Sequence, residues 1–167
     1  TTGANNTLIG GLAGDAITTG ANNTAVGTSA LSANTTASNN TAVGYHSSRD
    51  NTTGSTNASF GVNSLRNNTT GSSNVAIGEA ALLANTSASN NTAIGQVSLF
   101  DNTTGAQNTA VGKSALENNT TASYNTAVGY QAGLSNTTGV QNTLIGAHAG
   151  DALTDADLNV AVGYQAL

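Results

Sequence analysis

The 167-residue chain has eight acidic and three basic residues, a formal net charge of −5, and charged side chains at only 7% of its positions. So few basic residues argue against a nucleic-acid partner, because affinity for the phosphate backbone depends on clustered Lys and Arg. The chain has no Cys for disulfides, and no apolar run approaches the ~20 residues that cross a bilayer, so we expect no membrane insertion of this segment.

A unit of 17 residues repeats ten times without insertion or deletion. Each unit begins with an Asn and has a Gly four residues later, from Asn6 and Gly10 to Asn159 and Gly163. This period suits one coil of a stacked β-structure. The sequence therefore predicts an all-β fold, a parallel β-solenoid (β-roll or β-helix) of about ten coils with one coil per repeat.

The domain prediction is a single repeat array over residues 1–167. A partial unit covers 1–5, full units start at residue 6, and a partial unit covers 159–167. We expect this array to be a window of a longer fibre.

Within the unit, counted from its Asn as position 1, positions 1 to 4 predict a strand that ends at the Gly of position 5. Position 4 is always apolar, as in Val43, Val111 and Val128, so we expect it to face the interior together with position 2. Position 3 then faces outward. Positions 6 to 9 predict a second strand that leads to an interior Leu at position 9, and positions 12 to 14 predict a third short strand.

Stacked coils place each residue about 4.8 Å from its own copy in the next coil. The Asn at position 1 and the Thr at position 13 then form ladders of side chains that can bond along the axis. Such ladders explain the recurrence of both residues without an active site. The chain has no Pro, which would remove a ladder donor.

The segments Asn39–Tyr45 and Tyr124–Ala132, with the sequences NNTAVGY and YNTAVGYQA, resemble the head repeats of trimeric autotransporter adhesins and related repeat-fibre proteins of bacteria and phages. The resemblance covers about the first nine positions of each unit. It implies a parallel β-roll, usually trimeric, that acts outside the cell. The adhesin-head unit is shorter, and this chain adds a segment such as Asn51–Gly54.

No residue set predicts catalysis, a cofactor or a metal ion. His46 and His148 share position 7 but lie six coils apart, too far to bind one metal ion within a chain. The run Asp155, Asp157 and Asn159 lacks the Gly and the distal Glu of a calcium loop. We therefore expect a chain that is not an enzyme.

Asn-x-Ser/Thr sequons are dense, and seven of them fall at position 12, which we expect on an outer segment. An Asn- and Thr-rich repeat also generates sequons without any role, so both interpretations stay open. The candidate glycosylation residues are Asn34, Asn51, Asn68, Asn85, Asn102, Asn119 and Asn136.

The function expected from these patterns is a structural extracellular fibre segment: an adhesin head or shaft, a surface filament or a phage tail fibre on a cell or virion surface. The alternative is a solenoid that binds ice or glycans through Thr and Asn ladders, with Tyr45, Tyr130 and Tyr164 as rings for stacking on sugars of a surface glycan or host receptor. Position 3 is small and apolar, so we expect Ala76, Ala93 and Ala110 to contact another chain, in a homotrimer or in fibre continuation.

Overall fold

The computed structural model describes residues 2–167, in which it has ten three-residue strands and no helix. Each strand occupies positions 2 to 4 of one repeat, and coil n is the repeat that contains strand βn. The strands are β1 (Thr7–Ile9), β2 (Thr24–Val26), β3 (Thr41–Val43), β4 (Ala58–Phe60), β5 (Val75–Ile77), β6 (Thr92–Ile94), β7 (Thr109–Val111), β8 (Thr126–Val128), β9 (Thr143–Ile145) and β10 (Val160–Val162).

All ten strands form one parallel sheet in the order β1 to β10. Every pair is in the same register, so that Thr92 lies beside Thr109 and Ile94 beside Val111. Neighbours in sequence are thus neighbours in space, one repeat per coil. The structure confirms the predicted parallel β-solenoid.

Outside the strands the predicted second and third strands are wrong, although the coils remain bonded to each other there. Leu99 N donates to Ala115 O at 3.0 Å, and Thr103 N donates to Thr120 O at 2.8 Å. Positions 7, 9 and 17 have left-handed backbones, as at Val97 (φ 51°) and Leu99 (φ 50°). Because a strand needs a strongly negative φ, these alternating signs turn the chain instead of extending it.

The Gly at position 5 makes the corner that its recurrence predicted. Gly95 has φ 136°, a conformation that L side chains rarely adopt. A Cβ on Gly95 would lie 2.4 Å from the carbonyl oxygen of Gly112 in the next coil. Both the conformation and the close approach of the coils require Gly.

The interior is lined by positions 3, 8 and 9, so the predicted facing of the strand is wrong. Ala93 at position 3 is 0% exposed, whereas Ile94 at position 4 is 37% exposed. Position 2, as at Thr92, is half-buried on the same outer face as position 4. The interior is narrow and the Leu of position 9 fills it, which leaves room only for a small residue on the strand. The apolar character of position 4 therefore did not indicate burial.

Where position 3 carries a large side chain, position 9 carries a small one. Leu144 occupies position 3 in coil 9, and Gly stands at position 9 of coils 8 and 9. A Cβ on Gly133 or Gly150 would lie 2.8 or 2.7 Å from a methyl carbon of Leu144. No coil thus holds a large aliphatic side chain at both positions 3 and 9, as dense packing in a narrow interior requires.

A substitution of Ala93 tests this facing. Ala93→Leu forces a second large side chain between Leu82 and Leu99, which belong to the same buried cluster. We expect it to lower the free energy of unfolding by about 1–3 kcal/mol, measured by chemical denaturation. The matched change Ile94→Leu on the outer face should stay within about 0.5 kcal/mol. Equal losses from both substitutions would contradict the observed facing.

Candidate functional site

A buried row of Asn side chains at position 1 joins successive coils. In coil 6, Asn91 Nδ2 donates to Gly105 O at 2.8 Å, and the backbone N of Asn108 in coil 7 donates to Asn91 Oδ1 at 2.9 Å. Asn91 is fully buried. One amide thus closes its own coil and accepts a bond from the next, which explains the recurrence of Asn in physical terms.

A second buried row runs along position 12. Asn102 Nδ2 donates to Gly105 O at 2.9 Å and to Asn85 Oδ1 of the preceding coil at 3.2 Å. Gly105 O is therefore shared by two side-chain amides, from Asn91 and Asn102. The carbonyl of position 15 is the point at which both rows meet.

The predicted outer location of position 12 is wrong, since all seven candidate residues are at most 1% exposed. In the folded coil, a sugar on Nδ2 would have no space and would remove a donor from this network. Asn34, Asn51, Asn68, Asn85, Asn102, Asn119 and Asn136 thus have a structural role in the coils. The sequence contained a signal of this burial, because Ile17 and Leu153 occupy position 12 in coils 1 and 9.

The Thr row at position 13 also bonds along the axis, but to the backbone. Thr52 Oγ1 donates to Thr69 O at 2.9 Å, and Thr137 Oγ1 donates to Thr154 O at 2.9 Å. The neighbouring residues at position 14, such as Thr104 and Thr121, are exposed. One free Thr row therefore lies on this side of the solenoid.

The outer face of the sheet carries two parallel rows. Position 2 supplies a row that is mostly Thr, and position 4 supplies a row of Val, Ile and one Phe. In coil 6 these are Thr92 and Ile94, which share a face because side chains alternate along a strand. The position-4 row spans nine steps of about 4.8 Å, close to 43 Å. It is a continuous, partly exposed apolar stripe, and we call both rows together the outer sheet face.

The His residues and the calcium-like Asp run, which were considered as metal ligands from the sequence, lie apart in the structure. His148 Nδ1 lies 3.0 Å from Asp151 Oδ2 in coil 9, whereas His46 stacks on Tyr45 in coil 3. Asp157 Oδ1 accepts from Val140 N at 2.7 Å, which uses one oxygen of the calcium-like run. Within residues 2–167, no group of three or more His, Cys, Asp or Glu is placed to hold a metal ion.

In the same part of the chain, no helix is long and apolar enough to cross a membrane.

A groove at the end of coil 1 is lined by Gly3, Asn6, Leu8, Gly14 and Ile17. Leu8 is exposed there, while Leu144 at the same position of coil 9 is buried.

Comparison with known proteins adds no relative: no protein-family model matches the sequence, no curated protein matches it, and no solved structure matches the fold.

Substitution of Asn91 tests the position-1 row. Asn91→Ala leaves Gly105 O with one donor fewer and Asn108 N without an acceptor, so we expect a loss of about 1–3 kcal/mol in the free energy of unfolding. The free energy of unfolding of the Asn91→Asp protein should depend on pH. The protonated carboxyl can still donate to Gly105 O, whereas the ionised form is a buried charge without that bond.

Burial raises the folded-state pKa of the introduced carboxyl above its unfolded value. The Asn91→Asp protein is therefore most stable below the ordinary Asp pKa of about 3.9, and it loses stability as the pH rises through the folded-state pKa. Thermal unfolding between about pH 3 and pH 7 measures this. Asn90→Asp, at the exposed position 17, is the matched control and should follow the unsubstituted protein. The same pH profile in both variants would contradict the role of Asn91.

Proposed function

We propose that this chain is a structural segment of an extracellular fibre, without catalytic activity. The observation that carries the proposal is the continuity of the coils: ten in-register strands, a row of Asn at position 1 and a bonded Thr row run along the described chain, and a second buried Asn row joins coils 2 to 8. In such an array each coil fixes the position of the next, and most of the buried polar side chains form the bonds between coils. These are properties of a spacer or shaft.

The setting we propose is a cell or virion surface, as an adhesin head or shaft, a surface filament or a phage tail fibre. Support comes from the resemblance of the NTAVGY segments to fibre repeats and from the largely uncharged Asn-, Thr- and Ser-rich surface. Sugar decoration belongs to the same proposal. In the folded chain it would fall on the exposed sequons of position 17, which are Asn5, Asn22, Asn39 and Asn90.

We propose that the chain self-associates through the outer sheet face, as a homotrimer. The former candidates Ala76, Ala93 and Ala110 are fully buried inside their own coils and cannot contact another chain. The position-4 row replaces them, because ten partly exposed Val, Ile and Phe side chains form one stripe. Fibre continuation by further stacked coils is part of the same proposal, because every coil offers the next one the same backbone and side-chain bonds.

Charge on the position-4 row tests the assembly. The triple variant Ile77→Asp, Ile94→Asp and Val111→Asp should convert a trimer to a monomer, because three carboxylates cannot be buried unpaired at an interface. Multi-angle light scattering measures the mass. The control Ser73→Asp, Asn90→Asp and Gln107→Asp adds the same charges at position 17 of neighbouring coils and should remain trimeric. A monomeric parent protein would contradict the proposal.

A second candidate function is ice binding, which the two-row outer face favours. The Thr row of position 2 and the Val and Ile row of position 4 are parallel and regularly spaced on one sheet. A regular array of hydroxyls and methyl groups can order water. The Thr rows of positions 13 and 14 do not offer this, since the position-13 hydroxyls bond to the backbone of the next coil.

Thermal hysteresis distinguishes this candidate from assembly. Ice binding predicts hysteresis that is lost in the variant Thr92→Tyr, Thr109→Tyr and Thr126→Tyr on the outer face, because bulky rings break the array. The variant Thr104→Tyr, Thr121→Tyr and Thr138→Tyr places the same rings at exposed position 14 and should keep full hysteresis. No hysteresis in the parent protein would exclude ice binding.

A further inference from the structure

Coils 3 and 4 differ from the rest of the array both outside and inside. Outside, they carry both arginines of the chain, in a group that we call the arginine patch: Tyr45, His46, Arg49, Asn63 and Arg66. Inside, four buried Ser replace Ala and Leu and bond to one another, with Ser47 Oγ 2.6 Å from Ser59 Oγ. The Ser residues are Ser47, Ser48, Ser59 and Ser64.

The coil geometry brings the patch together. Arg49 N donates to His46 O at 3.3 Å, so positions 7 and 10 of coil 3 face each other across one turn. Asn63 N donates to Tyr45 O at 2.9 Å, and Asp50 N donates to Arg66 O at 2.9 Å. Coil 4 thus stacks directly on coil 3 at both ends of the patch. The two arginines share position 10 and are one coil apart.

The two guanidinium groups are used differently. Arg49 donates to Asp50 through Nε at 2.7 Å and through a second nitrogen at 2.8 Å. Arg66 forms no ion pair within residues 2–167, and its buried Nε has no hydrogen-bond partner there, so that only its terminal nitrogens can meet a ligand. With Asp50 included, the patch keeps one net positive charge on a chain whose net charge is −5. Arg66 is therefore available to an anion.

An aromatic surface adjoins this charge. The rings of Tyr45 and His46 stack with centroids 3.7 Å apart, and Tyr45 is half exposed. Desolvation lowers the pKa of His46, and the charges of Arg49 and Arg66 lower it further. Both guanidinium charges thus act on the imidazole, and Asp50 and Asn63 oppose them only in part. The imidazole stacked on Tyr45 makes a flat, amphipathic platform beside the guanidinium of Arg66.

Coils 8 to 10 provide an internal comparison with the opposite charge. Tyr130 and Tyr164 lie edge-on to His148, with ring centroids 5.3 and 6.1 Å away. Position 10 of coil 9 is Asp151, which holds His148 at 3.0 Å. The same positions therefore carry aromatic rings in both places, and only coils 3 and 4 add arginines to them.

We propose that the arginine patch binds a carboxylate-bearing sugar of the uronic or sialic acid type. The carboxylate is held by the two terminal nitrogens of Arg66, because a planar guanidinium matches a carboxylate in a two-bond contact. The pyranose ring packs against Tyr45 and His46, because the aliphatic side of a sugar fits a flat aromatic surface. The Asn63 side chain, whose carbonyl oxygen is buried, acts on His46 in the same patch. The proposal does not depend on self-association.

The test is an NMR titration at fixed pH and ionic strength, which follows the ring protons of the two His residues. Glucuronic acid and N-acetylneuraminic acid are the probes, with glucose and acetate as the neutral and ring-free controls. We expect saturable shifts of His46 with both acidic sugars, with a dissociation constant on the order of 1 mM for a ligand of this size. His148 should not move. Glucose and acetate should each bind much more weakly.

Arg66→Gln should weaken acidic-sugar binding by about tenfold or more, since a charged hydrogen bond is lost. Lys113→Gln removes the same charge in coil 7 and should leave the titration unchanged. Tyr45→Ala should weaken binding, whereas Tyr130→Ala should not. The proposal is overturned by the absence of a saturable His46 shift, by equal shifts at His148, by glucose or acetate binding as tightly as the acidic sugars, or by equal losses in the Arg66→Gln and Lys113→Gln proteins.

Discussion

The bond from a buried Asn side chain to the next coil is the interaction on which this solenoid depends. At position 1 the amide donates within its own coil and accepts from the backbone of the following one, as Asn91 does between Gly105 and Asn108. A narrow coil bends its backbone too sharply to satisfy every polar group by strand pairing. The side-chain amide completes the pairing, and its position fixes the period, because one added residue would remove Asn from its partners.

The narrow interior decides which side of each strand faces out. Only one large aliphatic side chain fits between positions 3 and 9, whether Leu99 at position 9 or Leu144 at position 3. The strand therefore points its small residue inward and leaves its β-branched residues on the surface. The result is an outer face with an apolar stripe along its whole length, which is why self-association and ordered-surface binding are the functions proposed. Coils 3 and 4 differ from this uniform pattern, because they carry the two arginines and four buried Ser.

The period, the parallel solenoid and the Gly corner could be predicted from the sequence, since the exact recurrence of Asn and Gly permits few other structures. The facing of the strand could not be predicted, because the rule that apolar residues are buried assumes a core wide enough for them. This core is narrow, so Ala93 is buried and the neighbouring Ile94 faces outward. The second strand was predicted wrongly because Val97 and Leu99 adopt left-handed backbones that their residue types disfavour. The burial of position 12 could have been predicted from Ile17 and Leu153, because large aliphatic residues at this position are stronger evidence of burial than the sequons are of exposure.

Hydrogen exchange of the side-chain amides, measured by NMR on the folded protein, tests the central claim most directly. The account predicts strong protection of the Asn amides at positions 1 and 12, exemplified by Asn91 and Asn102, and rapid exchange at the exposed Asn90 of position 17. Protection should be lost only on global unfolding in the middle coils. Rapid exchange of Asn91 and Asn102 in a protein whose backbone amides remain protected would contradict it.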